Sequence, residues 1–213
     1  MKRSPTERWC SLAFSLVELL VTVSIIAILA ALCLPWAKSS IAQARSIKCM
    51  SNLAQIGKAI ELYAGDNNQM LPAAYISGDS TSIPWMWKLI PYLGMATNSM
   101  GYAPLPRAAG VFVCPEFKPS ENRAVSYVIN GNMNPLLETY WNYRKLIAPA
   151  SQTFMVVEFN KNTEHFNTYS DKDVARRHPH KSANYLFIDG HVENLSEYIA
   201  PRQDPRWFNP GQQ

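Results

Sequence analysis

Residues 13–36 read AFSLVELLVTVSIIAILAALCLPW, and this apolar stretch decides how the rest of the chain is organised. About 20 apolar residues are enough for an α-helix to cross a bilayer. The sequence therefore predicts a membrane span over residues 14–36. Its polar interruptions are Ser15, Glu18, Thr22 and Ser24.

Glu18 is the one charged residue in that stretch. A carboxylate inside a span costs up to about 2.5 to 3.5 kcal/mol, so an intramembrane acid is expected to have a functional partner. Two interpretations stay open at this point. Either Glu18 pairs with a cation within the membrane, or its side chain reaches the water interface of a simple anchor.

A short basic leader, residues 1–13, precedes the span and carries Lys2, Arg3 and Arg8. An ordinary secretory signal has an apolar core of about 7 to 15 residues followed by a small-residue cleavage site. The core here is longer, which argues against conventional cleavage. Basic residues also follow the span at Lys38 and Arg45, so flanking charge alone does not fix the orientation.

These features together resemble the class III signal of type IV pilins and type II secretion pseudopilins. The resemblance lies in the basic leader, the small residue before Phe14, Glu18 four residues later, and an apolar helix that contains Pro35. It implies that a prepilin peptidase cuts between Ala13 and Phe14 and that the new amine is methylated. It also implies that Glu18 pairs with the N-terminal amine of a neighbouring subunit. Alanine stands at position 13, where that family usually has glycine.

The resemblance implies a structural subunit of a type IV pilus-like or type II secretion pseudopilus-like filament. The implied partners are the prepilin peptidase, other pilin or pseudopilin subunits and the bacterial inner membrane. The chain would cross that membrane once, with its C-terminal domain in the periplasm or on the cell surface. The alternative is a non-polymerising, membrane-anchored binding module, with specificity in the loops around 85–102 and 141–143.

Beyond the span the helical pattern continues, so one long helix is predicted over residues 14–65. Gly65 and the polar residues after it end the helix by turn chemistry. Apolar residues recur at helical spacing and predict a stripe that packs on a globular domain. The stripe comprises Ile41, Ala44, Ile47, Cys49, Leu53, Ile56, Ile60 and Tyr63.

Residues 66–213 are long enough for one exported globular domain and are rich in proline. Proline disfavours long helices, so the overall prediction is an α+β fold in which the long N-terminal helix packs on a loop-rich domain with a small antiparallel β-sheet. A short helix rich in aromatic residues is expected over 84–93. Strands are expected over 111–114, 125–130, 153–158, 184–188 and 191–195.

The four cysteines divide by compartment. Cys10 lies in the leader and Cys33 in the predicted span, whereas Cys49 and Cys114 would face an oxidising compartment after export. A disulfide between Cys49 and Cys114 is therefore one prediction. Two buried free thiols are the alternative, because the sequence does not establish the required Cα separation.

Asp189 and Gly190 separate two strand-like runs, which is a strong short-range signal for a β-hairpin whose two central residues have positive φ. The surrounding passage also resembles the His-x9-Asp-Gly domain found in many prepilin-type proteins. His178 lies one residue too far from Asp189 for that pattern, and His180 lies too close. The runs 49–57, 63–68, 112–115 and 126–132 look similar to the same family.

Other functional classes have less support in the sequence. His178, His180, Asp189 and His191 are candidate ligands for zinc or calcium, but Asp189 alone is far short of the oxygen ligands that calcium needs, so no metal site and no cofactor are predicted. Catalytic motifs are absent, so we predict no enzyme.

Net charge gives little indication of a partner. The leader holds three of the 20 basic residues and one of the 16 acids, so a chain beginning at Phe14 keeps a net charge of +2. That balance makes no strong case for binding nucleic acid, which needs a clustered basic face. The basic run over 176–181 is expected to be a solvated loop.

Overall fold

The computed structural model describes residues 15–72, 85–95, 110–117, 126–130, 149–160, 165–166 and 174–197. The predicted leader, the Ala13–Phe14 bond and the predicted binding loops over 96–102 and 141–143 lie outside these ranges. By its contacts the chain divides into two compact units, Met1–Ile41 and Ala42–Gln213.

Helix α1 runs over Leu16–Asp66 and confirms the long N-terminal helix. Its end coincides with the predicted turn: the Gln69 amide donates to the Ala64 carbonyl at 2.7 Å, and Asn68 and Gln69 both have positive φ. Within the described residues, α1 has the length and apolar composition to cross a membrane, and its most apolar window is entirely exposed.

The buried face of α1 in the second unit differs in part from the predicted stripe. Cys49, Leu53, Ile56 and Ile60 are buried as expected, but the face also takes in small and polar residues that hydrophobicity does not mark. Three predicted members, Ile41, Ala44 and Ile47, are exposed instead. The additional buried positions are Ser46, Asn52, Gly57, Ala59 and Ala64.

A five-stranded sheet forms the second unit's framework, in the order β3-β1-β2-β4-β5. Pairing is antiparallel except between β1 and the two-residue edge strand β3, which are parallel. Four predicted strands and the α+β class are confirmed, whereas β3 was not predicted. The strands are β1 Tyr127–Asn130, β2 Phe154–Glu158, β3 His165–Phe166, β4 Ala183–Phe187 and β5 Val192–Leu195.

The predicted strand over 111–114 is wrong. Gly110–Phe112 forms a 3-10 helix, and the Val113 carbonyl accepts a hydrogen bond from the Asn52 side chain instead of a strand partner. Phe112 and Cys114 are buried at alternate positions, as in a strand. The cause here is a loop that packs against α1. The short aromatic helix is confirmed as α2, Trp85–Leu89, continued by a 3-10 turn over Ile90–Leu93.

The hairpin between β4 and β5 is present, but its turn differs from the prediction. Gly190 has φ of 90°, whereas Asp189 does not have positive φ. The Gly190 amide donates to the Phe187 carbonyl at 3.0 Å, and the Phe187 amide donates to His191 at 2.9 Å. This pattern is that of a three-residue loop ending in a left-handed glycine, which needs positive φ at one position only.

Both faces of the central strands are buried. Every residue of β1, β2 and β4 is buried: side chains on one face pack with α1 and α2, and those on the other form a second apolar cluster with Phe159 and Val174. The strands of a sheet that is covered on both faces have nearly continuous apolar sequences. The edge strand β5, in contrast to β1, β2 and β4, is partly exposed.

Gly57 is a position where α1 packs closely against this sheet. A β-carbon there would lie 2.9 Å from Leu186 Cδ1 and 3.6 Å from the Gly190 Cα, and Leu186 is fully buried. We therefore expect Gly57→Leu to lower the free energy of unfolding by about 1 to 3 kcal/mol through overpacking. Gly65 is the matched control, because a β-carbon there meets no atom within 4 Å.

Gly65→Leu should leave stability unchanged or raise it by up to about 1 kcal/mol, since leucine is the better helix former. The measurement is the urea midpoint of each full-length variant in detergent, with pulse proteolysis used to detect unfolding. Equal midpoints for the two variants would show that α1 does not approach β4 this closely.

Candidate functional site

The first candidate site is the N-terminus of α1. The Glu18 carboxylate accepts a hydrogen bond from the Ser15 amide at 3.0 Å, and the Ser15 hydroxyl accepts one from the Val17 amide at 3.3 Å. This reciprocal arrangement is a capping box, which satisfies amides that have no partner within the helix. The Ser-x-x-Glu spacing of residues 15–18 is the local sequence signature of this capping box.

The apolar part of α1 that follows Glu18 is unusually exposed. Its large apolar side chains are between 49% and 78% accessible from Leu16 to Leu32, with no covering element among the described residues. A contiguous apolar surface of this kind on a protein marks an interaction with a membrane or with another protein. The members are Leu16, Val17, Leu19, Leu20, Val21, Val23, Ile25, Ile26, Ile28, Leu29 and Leu32.

The second candidate site is a buried cluster made by Cys49, Cys114, Glu158 and His178. One ligand atom from each residue lies within 4.8 Å of all the others. All four residues are buried, and the side chains of Glu158 and His178 are completely inaccessible. The four residues come from α1, the loop after the 3-10 helix, the end of β2 and the segment before β4.

Cys49 and His178 both contact one carboxylate oxygen of Glu158, and Cys114 contacts His178. Nε2 of His178 lies 2.8 Å from Oε1 of Glu158, and the Cys49 thiol donates a hydrogen bond to the same oxygen. The Cys114 Sγ lies 3.6 Å from Nε2 of His178. The two sulfurs, the imidazole nitrogen and the carboxylate oxygen thus form one compact group.

Cys114 is held in place by three hydrogen bonds in and around its loop. The Asn52 side chain, on α1, donates to the carbonyl of Val113 at 3.0 Å. The amide of Cys114 donates to the hydroxyl of Ser126 at 2.6 Å, and the Ser126 amide in turn donates to Phe112. These contacts explain why two polar residues, Asn52 and Ser126, are buried near the core.

Neighbouring groups also orient the other three residues. The Tyr127 hydroxyl lies 2.9 Å from the Cys49 Sγ, and the amide of Asn184 donates to the second oxygen of Glu158 at 3.4 Å. The backbone of His178 is fixed by a hydrogen bond from its amide to the Ser182 carbonyl. Nδ1 of His178 has no hydrogen-bond partner among the described residues.

Burial and mutual contact shift the pKa values in this cluster. Burial raises the pKa of the Cys49 thiol, whereas the neighbouring Cys49 side chain lowers the pKa of Cys114 to about 7. For His178, burial works to lower the pKa, but hydrogen bonds to Cys114 and Glu158 outweigh it and raise the pKa to about 9. The cluster therefore contains one acidic thiol beside a basic imidazole.

The structure separates the residues that the sequence suggested as metal ligands. His178 belongs to the buried cluster, but His180 is exposed in the adjoining loop. Asp189 and His191 form their own partly exposed pair at 2.5 Å in the hairpin. Those four residues therefore do not form one site, and Glu158 was missed because the sequence placed it only at the end of a strand.

The structure brings the two cysteines of the predicted disulfide together but contains them as free thiols. The disulfide thus stays a prediction. A signal for the cluster did exist in the sequence: Glu158 interrupts an otherwise apolar run, and a fully buried glutamate requires a partner.

The basic run over 176–181 is only partly a solvated loop. His180 and Lys181 are exposed, but the Arg177 guanidinium donates to the Phe159 carbonyl at 3.0 Å. It also lies over the ring of Phe117, 5.2 Å from its centroid. Arg177 therefore has a structural role, and the run does not present a continuous basic surface.

Comparison with known proteins gives one partial match. Residues 42–98 match the model of a family described as a protein of unknown function (DUF1559), which covers less than a third of the chain. No curated protein and no solved structure matches. The matched segment contains the C-terminal half of α1, with Cys49, and all of α2.

Proposed function

We propose that this protein is a pilin-like structural subunit of a type IV pilus-like or type II secretion pseudopilus-like filament. A prepilin peptidase removes residues 1–13, the amine of Phe14 is methylated, and the subunit assembles through α1. Before assembly the chain resides in the bacterial inner membrane, with its C-terminal domain exported. The proposal gives the protein a structural role and no enzymatic activity.

The observation that carries this proposal is the exposed apolar surface of α1 with Glu18 in its first turn. Each 100 Å² of such surface removed from water contributes about 2.5 kcal/mol. Lipid can cover the surface before assembly, and the same helices of neighbouring subunits can cover it afterwards. One surface therefore serves both environments that a filament subunit occupies.

Glu18 is well placed to pair with a neighbouring subunit. A carboxylate in the first turn is favoured by the positive end of the helix dipole and by the capping hydrogen bond to Ser15. These contacts lower the cost of holding a charge at the edge of the span until a cation arrives. The cation in the proposal is the methylated amine of Phe14 on the next subunit.

The alternative, an anchored binding module, gains no support from the described part of the predicted binding loops. Trp85 is fully buried, and Tyr92 packs edge-on against Tyr63 of α1 with ring centroids 6.0 Å apart. The Tyr92 hydroxyl also donates to the Asp66 carboxylate at 3.0 Å. These aromatic residues attach α2 and its continuation to α1 rather than forming an open recognition surface.

The test is mass spectrometry of the mature N-terminus after production in a host with a prepilin peptidase. We expect a chain that begins at N-methylated Phe14. Production with a catalytically inactive peptidase is the control and should yield the intact chain. An intact Met1 in the presence of active peptidase would contradict processing and favour the anchor.

Substitution at position 13 makes this test sharper. Ala13→Gly restores the residue usual in the resembled family, so it should be processed at least as completely as the unaltered chain. Ala13→Leu places a bulky side chain before the bond and should block cleavage. Identical N-termini for both variants would show that the peptidase does not act at this bond.

A further inference from the structure

We propose that Cys49, Cys114, Glu158 and His178 bind one zinc ion in a closed structural site. The ligand atoms are the two sulfurs, Nε2 of His178 and Oε1 of Glu158. The inference goes beyond filament assembly, because it concerns the interior of the second unit and does not depend on Glu18 or on cleavage.

The set of donor atoms suits zinc. Zinc in structural sites takes four ligands in tetrahedral geometry from cysteine sulfur, histidine nitrogen and carboxylate oxygen. Ligand atoms around a tetrahedral zinc are separated by about 3.3 to 3.8 Å, given bonds of about 2.0 to 2.3 Å. The four atoms here already lie within 4.8 Å of one another, so small side-chain movements are sufficient.

Simpler explanations account for only half of the cluster. A disulfide would use the two sulfurs and give no reason for a fully buried Glu158 and His178 aimed at the same point. An ion pair between Glu158 and His178 would give no reason for two buried thiols beside it. A single metal centre explains all four residues, because each supplies one ligand to one ion.

The surrounding contacts are those expected around a metal site. Ligands in such sites are usually oriented by a second set of hydrogen bonds. The Asn184 amide donates to Oε2 of Glu158, and Oε1 is the oxygen that contacts Cys49 and His178. The Tyr127 hydroxyl lies within hydrogen-bond distance of the Cys49 sulfur and can donate to a thiolate there.

Charge balance also favours a divalent cation. Zinc binding displaces the protons of the two thiols, and with Glu158 the ligands then carry three negative charges beside a neutral His178. The ion reduces this to a single negative charge, toward which the amide of Asn184 and the hydroxyl of Tyr127 can donate. Without a metal, two thiolates in this dry interior would be prohibitively costly.

The ion would join four parts of the fold that are distant in sequence. These parts are α1, the loop at Cys114, the end of β2 and the segment that leads into β4. A domain with short strands and many loops gains stability from such a link, as small metal-binding domains do. The proposed role is therefore to fix α1 against the sheet.

The experiment uses the full chain, extracted from membranes in detergent and purified without reductant or chelator. We expect about one zinc per chain by elemental analysis. Exchange with Co²⁺ should produce visible bands of a tetrahedral site together with near-ultraviolet sulfur-to-cobalt absorption. These readouts on the unaltered protein test the proposal even if ligand variants fail to fold.

Single substitutions then identify the ligands. Cys49→Ser, Cys114→Ser, Glu158→Gln and His178→Asn should each lower the bound zinc at least about 10-fold. Cys33→Ser and His191→Asn are the matched controls, because Cys33 is an exposed thiol and His191 belongs to the separate pair with Asp189. Both controls should retain the full zinc content.

Two outcomes would overturn the proposal. One is purified protein that lacks zinc, cannot be loaded with Co²⁺ and contains a Cys49–Cys114 disulfide on peptide mapping. The other is zinc that is retained in folded Glu158→Gln and His178→Asn variants, which would place the metal elsewhere. Loss of filaments alone would not overturn the zinc site. Failure of the proposed function and failure of this site are therefore distinguishable.

Discussion

Glu18→Ala is expected to abolish filament formation while leaving the second unit folded. The substitution removes the only carboxylate of the apolar segment, so the amine released at Phe14 has no partner on the neighbouring subunit. The expected result is loss of polymer by at least about 100-fold, because a buried unpaired charge costs about 3 kcal/mol or more per contact. The measurement is the yield of sheared filaments seen by electron microscopy and immunoblotting.

Two control variants separate pairing between subunits from helix capping. Glu18→Gln keeps an oxygen that can accept from the Ser15 amide but removes the charge, so filaments should still be lost. Ser15→Ala removes the other half of the capping box and keeps the carboxylate, so filaments should persist. Normal filaments from Glu18→Gln would reduce Glu18 to a capping residue.

Trp85→Ala is expected to lower the free energy of unfolding by about 3 to 5 kcal/mol. Trp85 is completely buried and meets the Phe112 ring edge to face, with centroids 5.9 Å apart. Removing the indole leaves a cavity under α2, next to the loop that carries Cys114. A loss of this size is a large fraction of the stability of a domain.

Trp87 provides the matched control, since it lies on the same short helix but is only half-buried. Trp87→Ala should cost about 1 to 2 kcal/mol, in proportion to the smaller area it removes from water. Urea midpoints of the full chain in detergent measure both effects. If Trp87→Ala proved as destabilising as Trp85→Ala, the packing of α2 on the core would have to differ from that described here.

The candidate sites differ in how far the sequence could predict them. Glu18 can be recognised from the sequence, because it is a charged residue whose neighbours along the chain are apolar. The zinc cluster was visible only in fragments: two cysteines, a histidine of unclear role and a glutamate at the end of a strand. Its members lie far apart along the chain, so no local pattern could join them.

The fold shows the same division. Four strands and both helices were predicted, because long apolar runs between turn residues follow from local spacing. The strand over 111–114 was wrong, since alternate burial there results from packing of a loop against Asn52 and α1. Gly190 has positive φ and Asp189 does not, because the pairing of β4 with β5 sets the length of the loop between them.

The sequence by itself determined that an apolar helix with one acid leads into an α+β domain, because spacing and composition over neighbouring residues dictate helix, span and strand. Only the tertiary structure decided which face of α1 is buried and which four residues meet inside. That face is chosen by fit, through Gly57 against Leu186 and through Asn52 against the Cys114 loop. Such fit depends on residues distant in sequence, and only folding brings them together.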